Sequence, residues 1–171
     1  VSSQTYADVS LLSTGTWFKY TTAHAGALKI TYSQLQAVGV PEGVVPAIYA
    51  NNFGPLSYLN SEVYPDDLEP VPLFVEKGGD GVFNQGDYIL FYSASPHRWD
   101  YSETLGYTFR RHNYSDSAAF FLTWSVPHTE MSIKDLQTPI DQSTVWYDYL
   151  QIHENEDENL IKSGREWYEA I

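Results

Sequence analysis

A glycine-rich segment, residues 76–87 (EKGGDGVFNQGD), carries several oxygen-bearing side chains. Asp80, Asn84 and Asp87 could converge there on a hard cation, because carboxylate and amide oxygens are the ligands that calcium takes in protein loops. Their spacing differs from that of an EF-hand loop. A glycine-rich turn between two buried strands accounts for the same residues without a metal. We therefore predict no cofactor, with calcium at these three residues as the alternative.

Paired carboxylates are a second chemical feature, since a glycoside hydrolase needs two of them about 5–10 Å apart across a sugar. Asp66 and Asp67, with Glu69 nearby, form one group, and Asp100 with Glu103 forms another. An acidic protein presents such pairs by chance, and acidic side chains are usually solvated. We interpret both groups as surface loops and keep a hydrolase as an alternative.

Nucleophilic catalysis finds little support in the residues. The chain has no cysteine, which excludes a thiolate nucleophile and a cysteine-based zinc site within it. No HExxH or GxSxG motif occurs. A Ser-His-Asp triad remains an alternative, because such a triad is defined by the spatial arrangement of its residues and not by their order in the sequence. We expect the histidines to be loop or interface residues; they are His24, His97, His112, His128 and His153.

Aromatic side chains could form a sugar-binding platform, because their flat faces bury apolar area while a polar edge stays wet. Most of them fall in predicted strands, where core packing is the ordinary explanation; these are Trp17, Trp124, Trp146 and Tyr147. Trp99 and Tyr101 instead lie in residues 95–107 (SPHRWDYSETLGY), which we predict to be a loop. This loop is our candidate ligand-binding site.

The elements that must position these residues are mostly strands. The aromatic-rich composition favours pleated, half-buried surfaces, and short apolar runs alternate with turn residues. We predict a hairpin of residues 16–22 with 27–32, a buried core pair of residues 71–76 with 88–92, and further strands at 47–50, 107–111, 118–125 and 144–152.

One helix interrupts this pattern. Ser33 and Gln36 have capping-box spacing, and Gly39 with Pro41 supplies a stop, so we expect a short helix near residues 33–38. The predicted fold is mainly β, an antiparallel sandwich or jelly-roll-like domain. We divide the chain into an N-terminal arm (1–12), a β-rich domain (13–152), and an acidic linker that begins a following domain absent from this chain (153–171).

Charge and hydropathy limit the partners. The formal net charge of −13 opposes binding to a phosphate backbone, which depends on Lys and Arg. No stretch approaches the roughly 20 apolar residues that span a bilayer. We therefore predict neither nucleic acid binding nor membrane insertion.

Five phrases in order resemble one protein family. They are SxLSxGxW-[FY]-K (10–19), GxxKITYSxLxAxGV (26–40), DDLEPVPLFVE (66–76), DGxFNxGDYILFY (80–92) and NLIKSGREWY (159–168). Together they resemble the amino-terminal region of gingipain-like cysteine peptidases that act as type IX secretion system sortases of Bacteroidetes, the PorU-like family. The resemblance spans nearly the whole chain.

The resemblance implies a non-catalytic, β-rich accessory domain on the surface of a Gram-negative outer membrane. The catalytic His and Cys of such a family lie downstream of the SGREWY phrase, so none is carried onto this chain. The implied partner is the following peptidase domain of the same polypeptide, with secretion-system components or cargo as others. We expect interdomain contacts from Lys162, Arg165, Trp167 and Tyr168. A carbohydrate-binding or adhesin-type module that uses exposed aromatics is the alternative function.

Overall fold

The chain divides into two compact units, Val1–Ser132 and Ile133–Ile171. The predicted strand at 144–152 and the predicted linker at 153–171 lie outside the described residues, so the predicted domain boundaries stay predictions. The computed structural model describes residues 6–51, 54, 65–112 and 114–134.

Antiparallel β structure dominates the described residues, which confirms the predicted class. One short helix, α1 (Tyr32–Ala37), and a 3₁₀ turn at Leu11–Ser13 accompany it. The nine strands found in this part of the chain are β1 (Phe18–Thr22), β2 (Gly26–Thr31), β3 (Ala47–Ala50), β4 (Glu69–Val71), β5 (Phe74–Glu76), β6 (Tyr88–Ser93), β7 (Arg98–Ser102), β8 (Gly106–Arg110) and β9 (Ala118–Thr123).

These strands form three sheets. The first has the order β1-β9-β3-β4, the second has the order β2-β6-β5, and β7 with β8 makes a separate two-stranded sheet. Every strand pair is antiparallel. Among the described strands no sheet closes into a barrel.

The two larger sheets face each other through alternate residues of their central strands. Ile89 and Phe91 of β6 are buried, as are Phe120 and Leu122 of β9. The rings of Phe91 and Phe120 meet edge to face with their centroids 5.0 Å apart. Because successive strand side chains point to opposite faces, each sheet offers one apolar face to the other. The result is a sandwich core between β6 and β9.

The predicted hairpin of residues 16–22 with 27–32 is wrong, although both strands exist. β1 pairs with β9, whereas β2 pairs with β6, so the two strands belong to different sheets. Gly26, with a φ of 111°, begins β2 after the short connection. A short link suits either a hairpin or a change of sheet, and here each strand completes a different layer of the sandwich.

The predicted core pair is confirmed in part. Phe74 pairs with Leu90 and Glu76 pairs with Tyr88, so β5 and β6 are neighbours. The run at 71–76, however, is not one strand: Val71 ends β4 in the first sheet and Phe74 begins β5 in the second. Pro72 lies at the break, because proline has no backbone N–H that could donate a hydrogen bond to a neighbouring strand.

The helix lies near the predicted residues, but its N-cap is two residues earlier than predicted. Thr31, not Ser33, is the N-cap: its Oγ1 accepts the Gln34 N–H at 3.3 Å, and Gln34 Oε1 accepts the Thr31 N–H at 2.9 Å. The predicted stop at Gly39 is confirmed, with a φ of 92°. The N–H of Gly39 donates to Gln36 O and that of Val40 to Leu35 O, which is the Schellman pattern.

The predicted loop at 95–107 is wrong as well. Trp99 and Tyr101 lie on β7, which pairs with β8 in register from Arg98 opposite Arg110 to Ser102 opposite Gly106. Gly106, with a φ of 68°, follows the turn. The alternation of aromatic and polar residues on both sides of that glycine is a hairpin signal that the sequence already contained.

Candidate functional site

The β7–β8 hairpin gathers aromatic side chains on one face. Trp99 stands opposite Phe109, and Tyr101 stands opposite Tyr107. The ring centroids of each pair are 5.0 Å apart. Trp99 is 42% exposed, Tyr107 is 58% exposed and Tyr101 is 65% exposed. We call these four residues the aromatic face.

The opposite face of the hairpin is charged. Asp100 accepts from Nε of Arg98 at 2.7 Å through Oδ1 and from Nε of Arg110 at 2.7 Å through Oδ2. Arg98 and Arg110 stand directly opposite each other, an arrangement that destabilises a strand pair unless their charge is offset. The negative charge of Asp100 compensates the two arginines. Its carboxylate therefore stabilises the hairpin and does not form a hydrolytic pair with Glu103.

Two histidines tie the hairpin to the segment that follows it. His97 Nδ1 accepts the backbone N–H of His112 at 3.1 Å. His112 Nδ1 accepts the backbone N–H groups of Tyr114 at 3.2 Å and Ser115 at 3.0 Å. The His97 ring also packs on Phe109, with centroids 5.7 Å apart. A two-stranded hairpin is only marginally stable by itself, so these contacts help to hold the aromatic face in place.

The glycine-rich loop between β5 and β6 brings its three predicted oxygen-bearing residues together. Asp80 Oδ1 accepts the Val82 N–H at 2.9 Å, and its Oδ2 accepts from the Asn84 side-chain amide at 2.8 Å. The pKa of Asp80 is lowered mainly by the hydrogen bond from the Val82 N–H, and next by that from the Asn84 side chain. The buried Asp87 accepts the Asn84 N–H at 2.7 Å through Oδ2.

Hydrogen bonds within the loop thus account for one or both oxygens of each carboxylate. No group of three or more His, Cys, Asp or Glu side chains arranged to hold a metal occurs in the described part of the chain. Oxygens of Asp80, Asn84 and Asp87 are the donor type that calcium takes. Calcium at this loop stays a prediction.

The Asp66–Asp67 pair holds the segment before β1. Asp66 Oδ2 accepts the Ala7 N–H at 2.5 Å. Asp67 Oδ2 accepts the Leu11 N–H at 2.5 Å, and its Oδ1 accepts from the Ser10 hydroxyl at 3.1 Å. Both carboxylates bind main-chain donors more than 50 residues earlier in the chain. This pattern indicates a structural latch and gives no support to the hydrolase alternative.

Acidification will break the hydrogen bonds that the Asp67 carboxylate accepts. The backbone N–H of Leu11, then that of Leu68, and the Ser10 hydroxyl hold the pKa of Asp67 below its ordinary value, although burial opposes them. Because the folded pKa lies below the unfolded one, the stabilisation is complete above the unfolded value of about 4 and is lost as pH falls through the lowered folded pKa. The NMR shift of the Leu11 amide proton should report this change.

The Asp67→Asn variant is the control for this titration. Its Leu11 amide should lack the acid-dependent shift, since an amide oxygen does not titrate. A wild-type Leu11 shift with its midpoint at or above the ordinary aspartate pKa would contradict the latch.

The other described histidines make no catalytic arrangement with these groups. His24 is exposed, and His128 Nε2 lies 4.0 Å from Glu130 Oε1. His153 and the predicted interdomain residues lie outside the described residues; the latter are Lys162, Arg165, Trp167 and Tyr168. No helix among the residues that the structure describes is long and apolar enough to cross a membrane.

Comparison with known proteins identifies a likeness to a solved structure. A scan against protein-family models and a search of curated proteins found no match. Among solved structures, the crystal structure of dimeric latent PorU from Porphyromonas gingivalis matches with a TM-score of 0.61 and 26% sequence identity. This chain is similar to a region of PorU. The match covers 76% of this chain and 11% of the PorU chain, so it concerns about a tenth of PorU.

The PorU likeness confirms the family resemblance that the sequence phrases predicted. The fifth phrase, residues 159–168, lies outside the described residues. Among the others, residues 26–40 form β2 and α1, residues 66–76 contain Asp67, β4 and β5, and residues 80–92 contain the glycine-rich loop and β6. The β7–β8 hairpin lies outside all of them. The sequence phrases within the described residues thus fall on strands and loops of the two larger sheets, whereas the residues of the aromatic face lie outside the phrases.

Proposed function

We propose that this chain is a non-catalytic docking domain of a surface-exposed, type IX secretion sortase-like cysteine peptidase. Its contact surface is the aromatic face of the β7–β8 hairpin. The observation that carries the proposal is this exposed aromatic face on a PorU-like sandwich. The parent polypeptide supplies the catalytic His and Cys outside this chain and works outside the outer membrane.

The aromatic face has the composition of a protein-binding surface. Tyr and Trp are enriched among the residues that dominate binding energy, because they bury a large area at low entropic cost. Tyr101 and Tyr107 leave more than half of their surface exposed, and Leu105 at the adjacent turn is 75% exposed. A contiguous apolar surface of this kind typically marks an interaction site.

The hairpin is also prepared for binding before any partner arrives. The pairs Trp99–Phe109 and Tyr101–Tyr107 restrict one another's rings, and Asp100 clamps both strands from the other side. A rigid surface loses less conformational entropy on association, which increases affinity.

The absence of cysteine from the chain supports an accessory role, since a cysteine peptidase needs a thiolate. Of the carboxylates weighed for hydrolysis, Asp66 and Asp67 accept main-chain N–H groups, and Asp100 binds two arginines. The partner that we propose is the peptidase domain of the same polypeptide. Lys162, Arg165, Trp167 and Tyr168 would add to that contact.

The test is binding of the purified chain to the peptidase domain expressed from the same reading frame, measured by calorimetry. We expect the Tyr101→Ser, Tyr107→Ser double variant to lose affinity by about a hundredfold or more, as removal of two central aromatic side chains does at protein interfaces. The chain alone should cleave no peptide.

Tyr114→Ser is the matched control, because Tyr114 is 93% exposed and lies off the hairpin. It should bind like the wild type. Equal affinity of the double variant and the control would refute the aromatic face as the docking surface. Peptidase activity of the purified chain would refute its non-catalytic role, and a reading frame without a peptidase domain would refute the parent assignment.

A further inference from the structure

We propose that the cleft between Tyr92 and the start of β7 is a binding site for a short neutral oligosaccharide. The cleft has a volume of about 540 Å³, and its lining includes Tyr92, Ser95, His97, Arg98 and Trp99. Its size falls in the range of small-ligand pockets, about 300–1,000 Å³. It shares Trp99 with the aromatic face, but Tyr92, Ser95, His97 and Arg98 belong to the cleft alone, so the proposal does not depend on the docking proposal.

Two exposed aromatic side chains contribute to the cleft from different elements. Tyr92 belongs to β6 and is 64% exposed on the outer side of the second sheet, because its neighbours Phe91 and Ser93 point into the core. Trp99 belongs to β7 and is held by Phe109 at 5.0 Å between ring centroids. Flat rings with wet polar edges suit the C–H faces of pyranose sugars, which are apolar although their rims carry hydroxyl groups.

The polar groups of the cleft suit those hydroxyls. Arg98 carries five N–H donors and is half exposed while its Nε binds Asp100. Ser95 Oγ accepts the His97 N–H at 3.1 Å, which leaves its hydroxyl proton to donate. His97 is oriented by the His112 N–H at its Nδ1. Polar groups that neighbouring contacts hold in place fix the orientation of a ligand that the aromatic rings bind.

The charge of the protein favours an uncharged ligand. The chain has 22 acidic and 9 basic residues, so an acidic saccharide meets long-range repulsion. Within the cleft, the charge of Arg98 is offset by Asp100 at 2.7 Å. A neutral oligosaccharide meets no such repulsion and needs no unpaired positive charge in the cleft.

The test is an array of short neutral and acidic pyranose oligosaccharides probed with the whole chain, followed by calorimetry on the strongest neutral signal. Saturable binding of a neutral oligosaccharide is expected. Tyr92→Ala should weaken it by about tenfold or more, because one stacking ring is lost. Trp99→Ala should weaken it further, and thermal unfolding would show whether the hairpin survives that change.

Tyr101→Ala is the matched control, since Tyr101 is equally exposed on the hairpin and does not line the cleft. It should bind the sugar like the wild type. The two proposals separate here: Tyr92→Ala should lose sugar and keep the peptidase domain, whereas the Tyr101, Tyr107 double variant should do the reverse. No neutral signal on the array would overturn the cleft assignment. Unchanged sugar binding in Tyr92→Ala, whether or not that variant still binds the peptidase domain, would overturn it as well.

Discussion

Phe91→Ala will lower the free energy of unfolding by about 3–5 kcal/mol, the usual cost of removing a fully buried phenylalanine. Phe91 is 1% exposed and lies at the contact between the two large sheets. Its truncation removes apolar contacts and leaves a cavity against Phe120, which a close-packed core fills only in part. Equilibrium denaturation in urea, followed by tryptophan fluorescence, measures the loss.

Tyr92→Ala is the matched control, because Tyr92 is the next residue on the same strand and points to solvent. Its effect should stay within about 0.5 kcal/mol, as for most exposed positions. A cycle with Phe120→Ala should show coupling of about 0.5–1.5 kcal/mol between the two rings. Equal effects of Phe91→Ala and Tyr92→Ala would contradict the sandwich, since they would mean that β6 has no buried face.

Asp87→Ala will lower the free energy of unfolding by about 1–3 kcal/mol, the cost of leaving a partly buried hydrogen-bond donor without a partner. Asp87 is 7% exposed, and its carboxylate accepts the Asn84 N–H. Its backbone oxygen accepts the Tyr32 N–H at 2.9 Å, which links the loop to the start of α1. Denaturation in a calcium chelator and in calcium chloride should give the same loss.

Asp87→Asn separates the two interpretations of this loop. The asparagine keeps an oxygen that can accept the Asn84 N–H, so a structural role predicts a smaller loss than in Asp87→Ala. Calcium binding instead requires the carboxylate charge. If calcium stabilised the wild type and Asp87→Asn abolished that gain, the loop would be a cation site, and the hydrogen-bond account would be incomplete.

Much of the secondary structure followed from local sequence. β3 and β9 begin at the predicted residues, and β6 ends within one residue of its prediction. These strands combine apolar runs with turn residues at both ends, which is a strong local signal. The position of α1 and its stop at Gly39 were equally local, because a left-handed residue after a helix favours glycine.

The errors have two other causes. Ser33 and Thr31 both offer an N-cap hydroxyl, and β2 ends at Thr31, so only the end of that strand decides which residue starts the helix. The loop predicted at 95–107 was an error of weighting, since Trp99, Tyr101, Tyr107 and Phe109 alternate with polar residues around Gly106. A two-stranded sheet at the surface can form although neither of its faces joins the main core.

Some residues of the candidate site could be found from the sequence, and others join it only through the fold. Trp99 and Tyr101 were singled out from the sequence, yet Tyr107 and Phe109 join them only because β8 pairs with β7. Tyr92 joins the cleft only through the fold. Asp66 and Asp67 suggested paired carboxylates, and their main-chain partners at Ala7 and Leu11 lie too far away in sequence for any spacing rule to predict.

The sequence by itself determined the mainly β class, the PorU-like resemblance, the absence of a thiol, and the oxygen-rich loop at 80–87. The tertiary structure alone decided that β1 and β2 serve different sheets, that Pro72 divides one apolar run between them, and that the aromatic residues share one exposed face. The physical reason is that a strand's alternation specifies which side is buried but not which strand lies beside it. That choice depends on closing both faces of the sandwich at once, through residues far apart in the chain.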